Sequence, residues 1–350
     1  MNKIRKHNSY NLGNLINADK FQEPIKFPKS RYSEFYTDLK SMINIRKVEE
    51  IIAENVKNGT IKCPCHLSNG QEAIAVGISK YLNKNDYIFG NHRSHGHYLA
   101  AGGSSYQLFA EVLGKVTGCS KGMGGSMHIC SPENGFIGSV PIVAATIPIA
   151  VGAGLTVKIK KSSALAVSYF GDGATEEGVF HESLNLASYY KLPVLFVCEN
   201  NLFSSHMHIS QRQPFNSILR FAESNGIKSA QVDGNNLLEM DRIAKKAIAH
   251  IRNDNGPFII EAVTYRLKGH VGHDENVDVG LERNKNLSKW KKRDPILRAL
   301  QGLIEVDFIS KGQHDNLCRE IEQHLIKEWE QAQKDPFPKE SQLQETVYNK

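Results

Sequence analysis

Residues 165–203, LAVSYFGDGATEEGVFHESLNLASYYKLPVLFVCENNLF, decide how this chain folds. Leu165 to Phe170 is a short apolar run rich in strand-forming residues, and it stops at Gly171-Asp172-Gly173. A helical segment follows, and a second apolar run, Val194 to Cys198, ends at Glu199-Asn200-Asn201. Runs without polar alternation suit strands buried on both faces of a parallel sheet, so both strands are expected to finish on oxygen-bearing side chains at one edge. In an open α/β sheet, ligands bind outside the carboxyl ends of the strands. Glycines beside Asp172 let backbone N–H groups approach an anion, and Asp172 and Asn201 offer hard oxygens to Mg2+. The stretch reads as a magnesium-diphosphate site.

Working outward, 350 residues with 40% apolar and 23% charged side chains can bury a substantial core. No apolar run reaches about 18 residues, so no membrane span is expected. The charge of +6 is spread along the chain without an aromatic-interleaved basic patch, which suits anionic small molecules and not nucleic acid. Six cysteines, at 63, 65, 119, 130, 198 and 318, have no disulfide-like spacing and imply reduced thiols in a cytoplasmic compartment. The basic N-terminus lacks the apolar core of a secretory signal.

Residues 1–32 are polar and contain Pro24 and Pro28, and they are read as an arm, disordered or lying on a neighbour. A single α/β domain is expected over 33–350, closed by C-terminal helices. Helical spacing starts at Ser33 and Asn58-Gly59 stops it; Pro64 and Asn69-Gly70 then bracket His66 on a loop before a helix from Gln71. His92, Arg93, His95 and His97 lie together with no acid among them, which favours anion contact over metal ligation. Gly114 to Met127 is glycine-rich but lacks the P-loop ending, so it reads as a tight turn. Candidate strands at 228–232 and 258–263 flank an amphipathic helix, 237–251, which supports a doubly wound, mostly parallel sheet with flanking helices. A polar loop with Arg266, His270 and His273 leaves the last strand, and Asp294-Pro295 starts a further helix.

Between Gly173 and Asn200 lie 26 residues, and Gly-Asp-Gly, this spacing, then Asn-Asn resembles the thiamine diphosphate motif. HLSNGQEA, RSHGH, KGMGGSMH, the Pro-Ile-Val turn at 141–143, GDGATEEG, CENN, TYR with GH, and DPI follow in order. Over roughly residues 33–330, this order resembles the alpha subunit of thiamine diphosphate-dependent 2-oxo acid dehydrogenases, the family of the pyruvate, branched-chain and acetoin enzymes. The resemblance implies the thiamine diphosphate-binding fold, decarboxylation of a pyruvate-like 2-oxo acid and transfer of the acyl group to a lipoyl acceptor.

Carried over by position, it implies that Asp172 and Asn201 ligate Mg2+ through side chains and Phe203 through its carbonyl. Gly173 and Ala174 would meet the diphosphate through backbone, with Arg93 as a charged clamp. His92 stands where pyruvate members often carry Tyr, and is taken as a further phosphate contact. Pro141 and Val143 match the turn whose apolar residue props the cofactor in its bent form. His66 and His270 match histidines over the thiazolium and are the catalytic candidates, while Arg266 is read as an organiser of its loop. Val271 replaces the serine of mammalian pyruvate members, which excludes phosphorylation at that position.

The family keeps the glutamate that activates the aminopyrimidine on a separate beta subunit, and Glu176 and Glu177 sit wrongly for it. The resemblance therefore implies an obligate heterotetramer of two alpha and two beta chains, with a lipoyl acyltransferase as a further partner. The loop GHVGHDEN keeps open an acetoin-cleaving enzyme or one that passes its acyl group to a small acceptor. A non-catalytic subunit is disfavoured by the intact Asp172, Asn201, Arg93, His66 and His270. A zinc site at Cys63-Pro-Cys65-His66 is disfavoured because adjacent ligands hinder each other and no second cluster exists.

Overall fold

A computed structural model describes residues 10–276, 280 and 283–345 of the chain. In chain order its elements are α1 (Tyr32–Lys57), α2 (Glu72–Ser79), β1 (Tyr87–Phe89), α3 (His95–Ala100), α4 (Ser105–Val112), β2 (Phe136–Gly138), α5 (Thr146–Ile159), β3 (Ala166–Gly171), α6 (Gly178–Tyr189) and β4 (Val194–Asn200). After these come β5 (Phe203–Ser204), β6 (Met207–His208), α7 (Leu219–Ser224), β7 (Lys228–Asp233), α8 (Leu237–Arg252), β8 (Phe258–Val263), α9 (Arg283–Lys292), α10 (Pro295–Ile304) and α11 (Lys311–Lys334). No helix among the described residues is long and apolar enough to cross a membrane.

Six strands form one sheet in the order β2-β1-β3-β4-β8-β7, every neighbouring pair parallel. The expected doubly wound sheet is present, with two short strands, β1 and β2, that sequence periodicity did not reveal. Three residues carry too little alternation to distinguish a strand from a loop.

The apolar runs at 165–170 and 194–198 serve two cores at once, because successive strand side chains point to opposite faces. Leu165, Val167, Tyr169, Leu195 and Val197 pack on one face with Val48, Ile74 and Met240 from α1, α2 and α8. Ala166, Phe170, Val194, Phe196 and Cys198 pack on the other with Ile147, Ala150, Phe180 and Leu184 from α5 and α6. Helix starts are set locally. Asn236 accepts from the N–H groups of Leu238 and Glu239 to open α8, and Asp294 accepts from those of Ile296 and Leu297 to open α10 behind Pro295. Each such cap is worth about 1 kcal/mol.

The N-terminal arm needs correction where it is described; residues 1–9 lie outside the described residues. Residues 10–31 pack on the chain's own body. Leu12 and Ala18 join Leu202, Phe203, Tyr265 and Trp290 in one cluster, and Ile25 and Phe27 join Phe35 and Leu39 in another. Arg293 donates to the Leu15 and Asn17 carbonyls and Arg298 to that of Glu23. The anchors seat two by two in separate clusters of the body, so their irregular spacing shows no period.

Candidate active site

Parallel register brings the chemistry to one edge. Gly171 lies opposite Glu199 and Asn200 opposite Val263, so residues just past β3, β4 and β8 emerge side by side. From β1 the chain steps outward to β2, then returns to place β3 on the other side, a reversal that opens a crevice. Its lining includes His66, Gln71, His92, Arg93, Pro141, Val143, Asp172, Gly173, Ala174, Asn201, Phe203, Arg266 and His270. All the residues to which the resemblance assigned a cofactor, metal or catalytic role thus line one cavity.

Asp172 is fully buried; its Oδ2 pairs with Arg212, and its Oδ1 has no hydrogen-bond partner. Burial raises its carboxyl above the ordinary range, with Arg212 opposing. Arg212 also pairs with Glu176. Gly173 cannot be replaced without a clash, since a Cβ there would lie 2.6 Å from Ser204 Oγ. The chain turns sharply at Leu202, whose φ is +73°, a region few side chains adopt. Past that turn the Phe203 N–H donates to Asn201 Oδ1 at 3.3 Å, while Asn201 Nδ2 donates to Gln71 at 3.3 Å. Ala144, beside Val143, also has positive φ, +64°.

Two arginines give the cavity its charge. Arg93 donates to the carbonyls of Leu67 and His270, so besides facing the cavity it straps the two histidine loops together. Arg266 donates through Nη2 to the Ser205 carbonyl at 2.8 Å, yet its Nε and Nη1 are buried without a partner. Burial, with Arg93 nearby, lowers its pKa well below the ordinary arginine value. The sequence reading of Arg266 as a loop organiser leaves its buried Nε and Nη1 unaccounted for.

His66, His92 and His270 form a triangle with ring centroids 4.8, 5.0 and 5.6 Å apart. Burial first, then the Arg93 charge, pushes His66 down to about 4, His270 to about 3 and His92 to about 2. Their nitrogens lie close enough to hold an ion. Two neighbouring guanidinium groups repel a cation there and favour an anion. At neutral pH all three rings are uncharged, able to accept or donate a proton.

His95 and His97 leave the cavity. Buried His97 meets Glu199 at 3.0 Å and stacks on Tyr169, and His95 meets Ser126 at 2.9 Å with Glu49 nearby. The acids absent from the local sequence arrive from α1 and β4. The glycine-rich loop also finds an anion inside the chain. The N–H groups of Ser120, Gly122, Gly124 and Gly125 all donate to the Glu111 carboxylate.

Sequence reasoning missed Arg212, Glu261 and Glu111. None sits in a motif, and only chain packing brings them near the site.

An unpartnered carboxylate oxygen and unpartnered guanidinium nitrogens on residues that line one cavity, with no room for a side chain at Gly173, fit a diphosphate-bearing cofactor. The fold and site define a cofactor-binding α/β subunit. The model of the dehydrogenase E1 component family matches residues 40–341. The chain is 35% identical over 311 residues to the alpha subunit of acetoin:2,6-dichlorophenolindophenol oxidoreductase from Bacillus subtilis (strain 168), covering 88% of this chain and 91% of that one. It is 34% identical over 331 residues to the pyruvate dehydrogenase E1 component subunit alpha of Porphyra purpurea, covering 93% and 94%. To the chloroplastic subunit alpha-3 of pyruvate dehydrogenase E1 from Arabidopsis thaliana it is 34% identical over 321 residues, covering 90% and 74%. The chain belongs to the dehydrogenase E1 component family, as a thiamine diphosphate-dependent 2-oxo acid dehydrogenase alpha subunit that works with a beta subunit.

Proposed function

We infer that this subunit acts on a pyruvate-like 2-oxo acid, releases carbon dioxide and passes the acyl group to a lipoyl group of an acyltransferase partner. The observation that carries this reading is that one cavity is lined by Asp172, with its orphaned Oδ1, by Arg266, with its orphaned Nε and Nη1, and by three uncharged histidines. When bound, thiamine diphosphate supplies the nucleophilic carbon and the electron sink that decarboxylation requires.

This chain's residues hold and orient. Asp172 Oδ1, Asn201 Oδ1 and the Phe203 carbonyl are assigned to Mg2+, a hard ion that takes such oxygens. Arg266, Arg93 and His92, with the backbone of Gly173 and Ala174, are assigned to the diphosphate. Pro141 and Val143 shape the wall. His66 and His270 are the proton-moving groups, each neutral at working pH.

The rim supports the need for a partner. Ile142 is 71% and Val143 49% exposed beside the cavity, and Ile149 and Tyr189 stand out on α5 and α6. Large exposed apolar groups at a cavity mouth suit a covering subunit, and we assign that place to the beta chain in an assembly of two alpha and two beta chains. Six free cysteines support a reducing, cytoplasmic setting.

Acetoin cleavage is a second reading, favoured by the likeness to the Bacillus subtilis acetoin oxidoreductase subunit. The test is reconstitution with the copurifying beta chain, assayed with pyruvate, branched-chain 2-oxo acids and acetoin, each with a lipoyl and a dye acceptor. Turnover of pyruvate with lipoyl acceptor supports the first reading, and turnover of acetoin alone replaces it with the second. Activity of the alpha chain without its partner overturns both.

A further inference from the structure

One sequence feature is left unused by the cofactor site: Cys63-Pro64-Cys65, immediately before His66. The two sulfurs lie 3.9 Å apart. Cys65 also directs its thiol at the Cys63 carbonyl, at 3.5 Å, and Cys63 directs its own at the Val112 carbonyl, at 3.6 Å. Cys63 is half-buried, whereas Cys65 is fully buried. The Cys65 carbonyl accepts the Gly272 N–H at 2.8 Å, two residues past His270. Cys65 is therefore joined by covalent bonds to one catalytic candidate and by a hydrogen bond to the loop of the other.

We propose that Cys63 and Cys65 form a modification site, a dithiol that a hydroperoxide oxidises to a disulfide and that thereby displaces His66 and the His270 loop from their working positions. The Cys63 sulfur attacks one peroxide oxygen, the O–O bond breaks, and the departing oxygen takes a proton, leaving a sulfenic acid on Cys63. The Cys65 sulfur then attacks the Cys63 sulfur. The S–S bond forms, the S–O bond breaks, and the oxygen leaves as water with the Cys65 proton. Two thiols lose two electrons, and the peroxide is reduced to water and an alcohol, or to two waters when it is hydrogen peroxide.

Three features assign the roles. Cys63 is the half-exposed thiol of the two and so the one a peroxide meets, and a hydrogen bond from the Cys65 thiol, helped by the Ser126 backbone, draws it below the ordinary thiol range against its burial. That hydrogen bond and burial push Cys65 the other way, which makes it the resolving thiol. Bonding the sulfurs requires closure from 3.9 Å to about 2.0 Å across a single proline. Pro64 fixes its own φ, so the part of the closure that rotation of the two cysteine side chains does not supply falls on the backbone of Cys65 and its neighbours, including the carbonyl that holds Gly272. A disulfide so constrained is readily reduced, as a reversible switch needs.

The experiment uses the full chain reconstituted with its partner subunit and exposed to hydrogen peroxide. The expected result is loss of two of the six thiols, a disulfide-linked 63–65 peptide by mass spectrometry, and an activity drop of about tenfold or more, the scale of an ångström misplacement. A dithiol reductant restores both. Cys63→Ser resists inactivation, and in Cys65→Ser the Cys63 sulfenic acid persists and is captured by dimedone. Cys119→Ser and Cys130→Ser behave as the parent. Peptide mass is read independently of turnover, so an error in the assigned substrate leaves this result intact. The proposal is overturned if the 63–65 peptide stays reduced, if Cys63→Ser is inactivated as fast as the parent, or if the disulfide forms without loss of activity.

Discussion

The Asn200 side-chain amide donates to the buried Glu261 carboxylate at 2.8 Å, on the side of β4 facing away from the cavity. The two asparagines of the motif therefore divide their work. Asn201 faces the cavity, while Asn200 accepts the Leu202 N–H and anchors the turn from behind. Glu261 also accepts from Ser217, Gln231 and the Ile218 N–H, although burial raises its carboxyl. Glu261→Gln turns a donor toward donors and is expected to cost about 2–4 kcal/mol of stability. Denaturant unfolding measures this, and a cost under about 0.5 kcal/mol, the scale of an ordinary surface substitution, refutes the anchoring role.

Arg266 carries a buried charge with two unpartnered nitrogens, so removing it has opposite effects on stability and binding. Arg266→Met is expected to leave the unliganded chain as stable or more stable, because an uncompensated buried charge is costly. Cofactor affinity falls by about 10- to 100-fold, the worth of a charge-assisted hydrogen bond or two. Thermal melts and calorimetry of the assembled enzyme separate the two readouts. Equal cofactor affinity in the variant removes Arg266 from the diphosphate site.

The depressed histidines make acid stability predictable. Unfolded imidazoles protonate near about 6.5, whereas folded His66 waits until about 4 and His270 until about 3. Between those values the unfolded chain binds more protons, so stability falls as pH drops below about 6.5 and rises with pH across that window. A bound anion raises the folded pKa values and shallows the slope. Chemical denaturation at several pH values, with and without Mg2+ and pyrophosphate, measures it. The double variant His66→Asn, His270→Asn should flatten the curve, and an unchanged slope would count against this account.

Four backbone N–H groups converge on Glu111, which makes it the keystone of residues 114–127 and so of Met127 at the cavity wall. Glu111→Gln can satisfy only one side of that ring and is expected to cost about 2–4 kcal/mol. Hydrogen exchange should rise selectively at residues 120–125. Uniform exchange across the whole chain would show global destabilisation instead.

Local sequence pattern was enough for the central strands and for the edge at which they end, and motif resemblance was enough for the cofactor. Two apolar runs buried on both faces, each ending in oxygen-bearing residues at a set spacing, are local properties, since strand period and chain length convert directly into position. Asp172 and Asn201 were legible for that reason, whereas Arg93, His66 and His270 were named by the resemblance of their motifs to a known family, and the structure gathers all five in one cavity. Tertiary structure alone decided the rest. It took His95 and His97 out of the site by bringing Glu49 and Glu199 to them from distant elements. It filled the glycine-rich turn with Glu111, set Glu261 behind Asn200, and folded residues 10–31 onto the body. Each of these depends on a charge or an apolar side chain meeting a partner far away in sequence. Burial, and the pKa of every group in the cavity, follow from those meetings and from no local pattern.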